Sequence, residues 1–350
     1  MSVRGVRGRT AGQRSPPGRG GFTVRTPAVP SVHDVSEPFS LLLPVYRGDR
    51  PDHLVTAFRS TVHEQLRRPD EIVVVQDGHV GPDLASTLEW LESGSPVPVR
   101  RLRLSHNVGL AQALQCGLAA CRHDVVARMD ADDISLPHRF LVQLPVIEAG
   151  ADLVGAAVLE VEETDVRAGE GGVLRVPPTT PREIAEVARW RNPFNHPTVV
   201  YRRSAVLAAG GYRELPLMED YWVFARMIAD GARVANLAEP LVRYRVGAGA
   251  YERKGGLGQL RSELRLQRRL HDEGFTTPAQ MVRNTVVRGG YRLVPTTLRR
   301  RAYRHTFTTT AATATASPEL TLPVATDRNR PPTGGRPVPP SARTTAEEQA

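Results

Sequence analysis

Nine residues at positions 125–133, with the sequence VVARMDADD, decide the fold expected for this chain. The stretch opens with an apolar run typical of a buried strand, and three carboxylates follow it within four residues. Ligands of open α/β sheets bind outside the carboxyl ends of the strands, so acids at this point indicate a site. Asp130 and Asp132 are two residues apart, which places their side chains on one side of an extended segment. A hard divalent cation would relieve the repulsion between them.

A second interpretation of the same stretch needs no ligand. The acids would form a solvated turn, and Asp133 or Ser135 would cap the helix that follows. Both interpretations stay open at this level.

Strands and helices alternate on the amino-terminal side of this stretch. Strand patterns at 39–46, 71–75 and 99–104 are separated by helical patterns, which cover 52–66, 83–92 and 109–121. Such alternation with short links is typical of a parallel sheet covered by helices.

The pattern after residue 150 is looser. Further elements are predicted as a strand at 151–161, a loop at 162–180, a helix at 181–190, strands at 198–201, 234–237 and 241–244, and helices at 203–209, from 219 and from 257.

Composition excludes several classes of protein. The 350 residues are 40% hydrophobic and 24% charged, as in ordinary soluble globular proteins. The net charge of +9 would suit nucleic acid, anionic lipid or nucleotide phosphates, but no zinc-finger, RRM or helix-turn-helix pattern supports nucleic acid as a partner. Cys116 and Cys121 have neither disulfide nor zinc spacing and are expected to be free thiols. We find no signal peptide and no apolar run of membrane-spanning length, so the expected location is the cytoplasm.

Five short motifs occur in a fixed order along the chain. They are Pro44-Val45-Tyr46, Gln76-Asp77-Gly78, Asn107-Val108-Gly109, Asp130-Ala131-Asp132-Asp133 and Glu219-Asp220-Tyr221-Trp222. Together they resemble the inverting family 2 glycosyltransferases with the GT-A fold, over roughly residues 38–250. The resemblance implies an α/β, Rossmann-like, mostly parallel sheet flanked by helices, followed by a short C-terminal helical extension.

The resemblance also implies roles for individual residues. Asp220 would be the general base, and Asp132 would bind Mn²⁺ or Mg²⁺. The implied donor-nucleotide site consists of Pro44, Tyr46, Asp77, Asn107, Gly109 and Asp130. The implied acceptor or diphosphate side consists of His196, Glu219, Trp222 and Arg245.

Each motif has a plain structural alternative when its residues are considered alone. Asp77 followed by Gly78 is also a turn in which the glycine adopts positive φ. The segment 107–109 is also an ordinary helix start, and acids favour first helical turns for dipole reasons. Arg128 would add positive charge to the site or extend from the strand to solvent.

The implied function is transfer of a sugar from a nucleotide sugar, in this family most commonly a UDP-sugar, to a hydroxyl of a glycan or lipid-linked acceptor. Cell-envelope or exopolysaccharide synthesis is the expected context. The alternatives are an inactive nucleotide-sugar-binding protein of the same fold, a sugar nucleotidyltransferase, and nucleic-acid binding through the tails. The nucleotidyltransferase would need a glycine-rich phosphate loop after the first strand, which residues 44–48 do not provide.

The domain prediction follows from composition and from the resemblance. Its ranges are a disordered basic tail at 1–37, the GT-A domain at 38–250, a helical basic extension at 251–308 and a disordered tail at 309–350. Residues 247–256 are expected to be a mobile lid or a linker. The arginines at 299–301 and 304, beside Leu298, Tyr303 and Phe307, would solvate a small helical cap or contact the inner membrane surface.

Overall fold

The structure, a computed structural model, describes residues 37–162, 171–246 and 257–293. The predictions of disordered tails, of a lid at 247–256 and of an arginine cluster at 299–304 lie outside these residues.

Seven of the nine strands in the described residues were predicted, and they follow the predicted order. The short strands at Ile134–Ser135 and Val173–Arg175 were not predicted, and the second lies within the segment predicted to be a loop at 162–180. The nine described strands are β1 Phe39–Tyr46, β2 Glu71–Asp77, β3 Val99–Arg103, β4 Val125–Arg128, β5 Ile134–Ser135, β6 Leu153–Val161, β7 Val173–Arg175, β8 Val200–Arg202 and β9 Val234–Arg245. The two strands predicted at 234–237 and 241–244 form the single strand β9, whose register against β6 shifts beside Pro240. Proline lacks the N–H that a regular ladder requires at that point.

The helices are α1 Pro51–Phe58, α2 Pro82–Gly94, α3 Leu110–Ala120, α4 Arg139–Glu148, α5 Pro181–Ala188, α6 Arg203–Ala208, α7 Glu219–Ala229, α8 Leu257–Asp272, α9 Pro278–Asn284 and α10 Gly290–Leu293. The helix predicted at 52–66 is shorter, because α1 passes into a π-helical turn at Arg59–His63. The last three helices lie within the predicted extension.

One mixed sheet organises the described part of the chain, in the order β3-β2-β1-β4-β8-β6-β9-β5, with β7 paired to β6. The pairings among β1, β2, β3 and β4 are parallel, and β8 joins β4 antiparallel. The chain runs outward from β1 to β3 and returns to place β4 on the other side of β1. This reversal is the topological switch point at which α/β sheets bind ligands. The acids after β4 lie there.

Both faces of the sheet are covered. Leu41 and Leu43 of β1 contact the cluster that contains α1, α2 and α4, whereas Leu42 contacts the cluster that contains α3, α6 and α7. This alternation follows from the two-residue period of a strand. A third cluster joins α7 to α8 through Trp222, Leu266 and other side chains, so the C-terminal helices pack directly on the helices that cover the sheet.

A buried carboxylate at the start of β2 links three segments. Glu71 accepts hydrogen bonds from the Ser40 hydroxyl at 2.6 Å, the Arg122 backbone N–H at 2.6 Å and the Arg122 Nε at 2.7 Å. Burial by itself would raise the pKa of Glu71, but these hydrogen bonds and the charge of Arg122 lower it overall.

We expect Glu71→Gln to reduce the free energy of unfolding by about 2–3 kcal/mol at neutral pH, because it leaves buried donors without an anionic acceptor. The folded-state pKa is lowered, so this stability is present above the unfolded pKa and is lost as pH falls through the folded value. Urea unfolding at neutral and acidic pH measures both effects. The control Glu186→Gln removes an exposed pair with Arg182 and should change stability by less than about 0.5 kcal/mol. Equal losses in the two variants would contradict the prediction.

Candidate active site

Three carboxylates follow β4 in a segment that we call the acid loop, Asp130–Asp133. One carboxylate oxygen each from Asp130, Asp132 and Asp133 lies within 4.8 Å of the others. Asp133 is fully buried, and its Oδ1 accepts the backbone N–H of Arg245 at 2.9 Å. Its Oδ2 is buried without a hydrogen-bond partner. A buried anionic oxygen beside two further carboxylates fits a divalent cation, which prefers such ligands.

The helix-cap interpretation of the acid loop is wrong. Ile134 and Ser135 form β5, which pairs antiparallel with Arg243 and Val242 of β9, and α4 begins only at Arg139. Asp133 is therefore held in the sheet instead of at a helix start. A two-residue strand carries no periodic signal, so the sequence did not indicate this pairing.

The acids destabilise each other's charges. Burial, followed by the charges of Asp132 and Asp130, raises the pKa of Asp133 well above its ordinary value. The surrounding protein atoms and the Asp130 charge also raise the pKa of Asp132, although that side chain reaches solvent. A bound cation would remove this penalty, since it favours the charged form of every carboxylate.

Asp49, which the sequence analysis missed, faces the same cluster. It lies in the loop after β1, and its Oδ2 accepts the Tyr46 backbone N–H at 2.8 Å. Burial raises its pKa to about 7, and the charges of Asp132 and Asp130 add to the rise. The available signal was topological, because a loop after β1 must lie beside the end of β4 if the two strands are neighbours.

A buried arginine binds the residues on either side of the acid loop. Arg139 has no exposed surface, and its Nη2 donates to the Arg128 carbonyl at 2.7 Å while its Nη1 donates to the Ser135 hydroxyl at 3.0 Å. Burial and the Arg128 charge lower its pKa to about 9, whereas Asp133 and Asp130 oppose that shift. Arg139 thus fixes both ends of the acid loop.

Asp77 connects the end of β2 to the loop before α3. Its Oδ1 accepts the Val108 N–H at 2.7 Å, and its Oδ2 accepts the Gly109 N–H at 3.0 Å and the Asn107 side-chain amide at 2.9 Å. The structure therefore brings three predicted donor-site residues, Asp77, Asn107 and Gly109, into one hydrogen-bonded unit. Gly78 has φ +83°, as the turn interpretation requires.

We expect Gly78→Ala to lower the free energy of unfolding by about 3 kcal/mol, since a Cβ would meet the Asn107 nitrogen at 2.5 Å in a left-handed conformation. The control is Gly231→Ala, at φ +81° with nothing within 4 Å of the added Cβ, which should cost about 1–2 kcal/mol from backbone conformation alone. Chemical denaturation compares the two. An equal loss of unfolding free energy in the two variants would show that the close approach to Asn107 does not contribute to stability.

A cleft of ≈380 Å³ opens beside the acid loop. It is lined, among others, by Arg128, Asp130, Asn192, His196, Asp220 and Tyr244. The Arg128 guanidinium is buried and pairs with the Asp130 carboxylate. The cleft therefore joins the start of the acid loop to the start of α7.

Asp220 lies in the first turn of α7 and is held at both oxygens. Its Oδ2 accepts the Asn192 side-chain amide at 2.7 Å, and its Oδ1 accepts the Tyr221 backbone N–H at 2.7 Å. Burial raises the pKa of Asp220, while the Tyr221 N–H and the Arg128 charge oppose the rise. The neighbouring Glu219 is buried, and burial together with the Asp220 charge raises its pKa to about 7.

His196 reaches the cleft as a neutral ring. Its Nε2 is 3.1 Å from the Tyr212 hydroxyl, and its ring packs edge-on against Phe224. Burial and the charge of Arg128 lower its pKa well below the ordinary value. His196 therefore adds polar but uncharged surface to this wall.

Other predicted residues lie outside the cleft. The Trp222 indole packs against the C-terminal helices, and its Nε1 donates to the Glu273 carboxylate at 2.9 Å. Pro44 is buried within β1, and Tyr46 at the end of that strand is half-exposed. A second pocket of ≈290 Å³ is lined by Arg226, Phe275 and their neighbours, and contains none of the predicted site residues.

Comparison with known sequences identifies the family. Residues 40–209 match the family described as glycosyl transferase family 2. The chain is 38% identical over 66% of its length to the amylovoran biosynthesis glycosyltransferase AmsE of Erwinia amylovora, and the match spans 84% of that protein. It is 30% identical over 78% of its length to the UDP-Gal:alpha-D-GlcNAc-diphosphoundecaprenol beta-1,3-galactosyltransferase of Escherichia coli, across 98% of that protein.

Solved structures share the fold. TarS 1–349 of S. aureus, determined in complex with UDP-GlcNAc, matches with a TM-score of 0.54 and 15% identity over 72% of each chain. The mannosyltransferase PcManGT of Pyrobaculum calidifontis, determined with GDP-Man and Mn²⁺, matches with a TM-score of 0.51 and 14% identity over 78% of this chain and 76% of that one. The predicted GT-A fold is confirmed. By sequence and by fold, the chain belongs to glycosyl transferase family 2.

Proposed function

We propose that this glycosyltransferase moves a sugar, with inversion at the anomeric carbon, from a UDP-sugar to a hydroxyl of a lipid-linked or growing glycan in polysaccharide assembly. One observation carries the proposal. The same cleft contains the Asp220 carboxylate and, through Arg128 and Asp130, the start of the acid loop. A base and a charged diphosphate site must be adjacent for such a transfer.

The acid loop is the proposed metal site. Asp132 would bind Mn²⁺ or Mg²⁺, with Asp133 supplying its unpartnered oxygen and Asp130 lying beside them. A bound divalent cation would stabilise the negative charge that grows on the departing diphosphate. Asp49 and Arg139 would fix the electrostatic surroundings of this site.

Asp220 is the proposed base for the acceptor hydroxyl. Its two hydrogen bonds fix the carboxylate, and partial burial makes it a stronger proton acceptor than an aspartate in water. The Arg128 charge opposes the rise in the pKa of Asp220 and so favours its ionised form. Direct in-line attack by the acceptor oxygen, with its proton passing to Asp220 and the nucleoside diphosphate leaving from the opposite side, would invert the anomeric carbon.

The donor and acceptor classes rest on the relatives. The Escherichia coli relative is named for UDP-Gal and for an acceptor linked to diphosphoundecaprenol, and TarS was solved with UDP and with UDP-GlcNAc. Asp77, Asn107 and Gly109 form the proposed wall of the nucleotide site, and Pro44 and Tyr46 its neighbour at the end of β1. Glu219 and Arg245 lie beside the base and the acid loop respectively.

Two alternatives to this function have weaker support. An inactive binding protein of this fold would be expected to lose the metal or base acids, and the chain retains Asp132, Asp133 and Asp220. A nucleotidyltransferase would not share extensive identity with glycosyltransferases along its length.

A lipid-linked acceptor would bring the enzyme to the cytoplasmic membrane surface. Within residues 37–162, 171–246 and 257–293, no helix combines the length and apolar character needed to cross a bilayer. We propose that contact with the membrane is peripheral.

The proposal is tested by incubating the full chain and Mn²⁺ with UDP-, GDP- or TDP-hexoses and a synthetic polyprenyl-diphosphate-linked N-acetylglucosamine. We expect mass spectrometry to detect addition of one hexose from a UDP-sugar, and NMR to show the anomeric configuration opposite to that of the donor. Retained configuration would contradict the assigned chemistry. Absence of transfer from every donor would contradict the proposed acceptor class.

A further inference from the structure

The C-terminal helices expose an apolar stripe that the proposed chemistry does not use. Helix α9, a π-helical turn at Thr285–Gly289 and α10 form one continuous helical segment from Pro278 to Leu293. Its buried side faces α8, where the Asn284 amide donates to Gln267 Oε1 at 3.0 Å. Its opposite side carries Val282, Val286, Val287 and Tyr291, which are 57%, 67%, 51% and 37% exposed.

Residues four positions apart lie along one row of a helical surface, so Val282 aligns with Val286 and Val287 with Tyr291. Both rows are exposed to solvent. Single exposed apolar residues are common, but a row of them marks an interaction site. Valine is also a poor helix former, so helix propensity does not account for it at three exposed positions. We call these four residues the valine face.

The charge around the valine face is net positive. The segment 278–293 contains Arg283, Arg288 and Arg292 and no acidic residue. Residues 257–293 as a whole contain seven arginines and only three acids, Glu263, Asp272 and Glu273. Glu263 is already bound by Arg288 and Arg292, at 2.6 Å and 3.1 Å.

The neighbouring helix is also basic. Arg261, Arg265 and Arg268 of α8 are all exposed, and Arg268 lies 3.8 Å from Asp272. A partner that fits must therefore combine an apolar layer with negative charge.

We propose that the valine face docks on an anionic lipid surface. The helical segment would lie in the plane of the interface, with its valines among the acyl chains and the surrounding arginines at the anionic headgroups. A second copy of this chain fits less well, since a two-fold contact would place arginine-rich surfaces against each other. The sequence beyond Leu293 has the same sign of charge, with four arginines between residues 294 and 308.

The inference is independent of the donor, the acceptor and the metal, so its test contains none of them. The full chain is sedimented with vesicles of phosphatidylglycerol and phosphatidylcholine in equal parts, and with vesicles of phosphatidylcholine alone. We expect binding to the anionic vesicles that weakens as salt is added. The double variant Val286→Asp, Val287→Asp should reduce the partition coefficient about tenfold or more, because it removes two inserted side chains and adds like charge.

Two further variants make the test specific. Leu66→Asp changes an apolar residue that is 69% exposed on another part of the surface, and should bind as the wild type does. Val286→Leu, Val287→Leu enlarges the inserted area and should bind at least as tightly as the wild type. Circular dichroism establishes that each variant is folded.

Three results would overturn the inference. The first is equal vesicle binding by the wild type and the aspartate double variant, and the second is equal binding to anionic and neutral vesicles. The third is absence of vesicle binding by the wild type. In that case, a dimer in analytical ultracentrifugation that the aspartate variant dissociates would identify the valine face as a contact between copies.

Discussion

Replacing Asp220 with asparagine is expected to lower kcat for sugar transfer by about 10²–10⁴-fold, the range lost with a general base. The amide keeps the shape of the side chain but cannot accept the proton of the acceptor hydroxyl. UDP affinity in the presence of Mn²⁺ should stay within about threefold of the wild type, since Asp220 is not part of the acid loop. Single-turnover kinetics and calorimetry separate the two quantities.

The matched control for this substitution is Glu219→Gln. Glu219 is the adjacent carboxylate on the same helical turn, but it is not among the residues that line the cleft. We expect a loss of kcat of about tenfold or less from this variant, through its effect on the Asp220 charge. If Glu219→Gln were the more damaging change, the base would be assigned to the wrong carboxylate.

The pH dependence of kcat/KM is a second test of the role proposed for Asp220. Because the base must be ionised, kcat/KM should fall as pH drops through the pKa of Asp220, which burial places above the ordinary value for aspartate. Arg128 lowers that pKa, so Arg128→Met should move the acidic limb to higher pH, in addition to any loss of activity from the unpaired Asp130. A limb that stays in place would show that Arg128 does not act on the base.

The contact that holds the proposed base, Asp220, could not be predicted from the sequence. The Glu219-Asp220 pair at a helix start follows from local pattern, but Asn192 reaches Asp220 from a loop 28 residues earlier. That loop follows α5, whose end is held by the C-terminal helices through the Asn284 amide and the Arg189 carbonyl, 2.8 Å apart. Contacts between segments so distant in sequence depend on tertiary packing, which periodicity does not encode.

The strand-end acids were predictable for the opposite reason. An apolar run followed at once by carboxylates is a local signal, and the order of strands then places it at the switch point. The same local signal gave a wrong prediction for Asp133. An aspartate at this point is typical of a helix N-cap, but Asp133 is followed by the strand β5 and accepts the backbone N–H of Arg245 in β9. Trp222 shows a similar limit. Its helix was predicted, yet which side of α7 faces the C-terminal helices depends on residues 257–293.

Asp132→Ala is expected to abolish the metal-dependent part of UDP binding. We expect the affinity for UDP in Mn²⁺ to fall about 100-fold, which corresponds to about 3 kcal/mol of lost cation-mediated attraction. Without metal, wild type and variant should bind UDP equally weakly. Calorimetry measures the UDP affinity of the wild type and of the variant, each with and without Mn²⁺. If Mn²⁺ strengthens UDP binding equally in both proteins, the assignment of Asp132 as the metal ligand is wrong.

The control is the nearby carboxylate outside the acid loop. Asp49 is held by the Tyr46 backbone N–H and is not one of the three carboxylates that lie within 4.8 Å of one another. Its replacement by asparagine keeps the shape of the side chain and should change UDP affinity in Mn²⁺ by less than about threefold. A large loss from Asp49→Asn would make it a ligand and not a neighbour.

Thermal unfolding tests the metal assignment without any nucleotide. The Asp130 charge raises the pKa of Asp132, and both of these charges raise the pKa of Asp133, so the metal-free chain should not be less stable after Asp132→Ala, which removes one repelling charge. Mn²⁺ should raise the Tm of the wild type, because it binds only the folded cluster, and should leave the Tm of the variant unchanged. A lower Tm of the metal-free variant would show that Asp132 stabilises the fold. Equal stabilisation of both proteins by Mn²⁺ would show that Asp132 is not a metal ligand. If Mn²⁺ stabilises only the wild type and the metal-free variant is no less stable, the cation must bind at the acid loop. The buried Oδ2 of Asp133, which has no hydrogen-bond partner, would be one of its ligands.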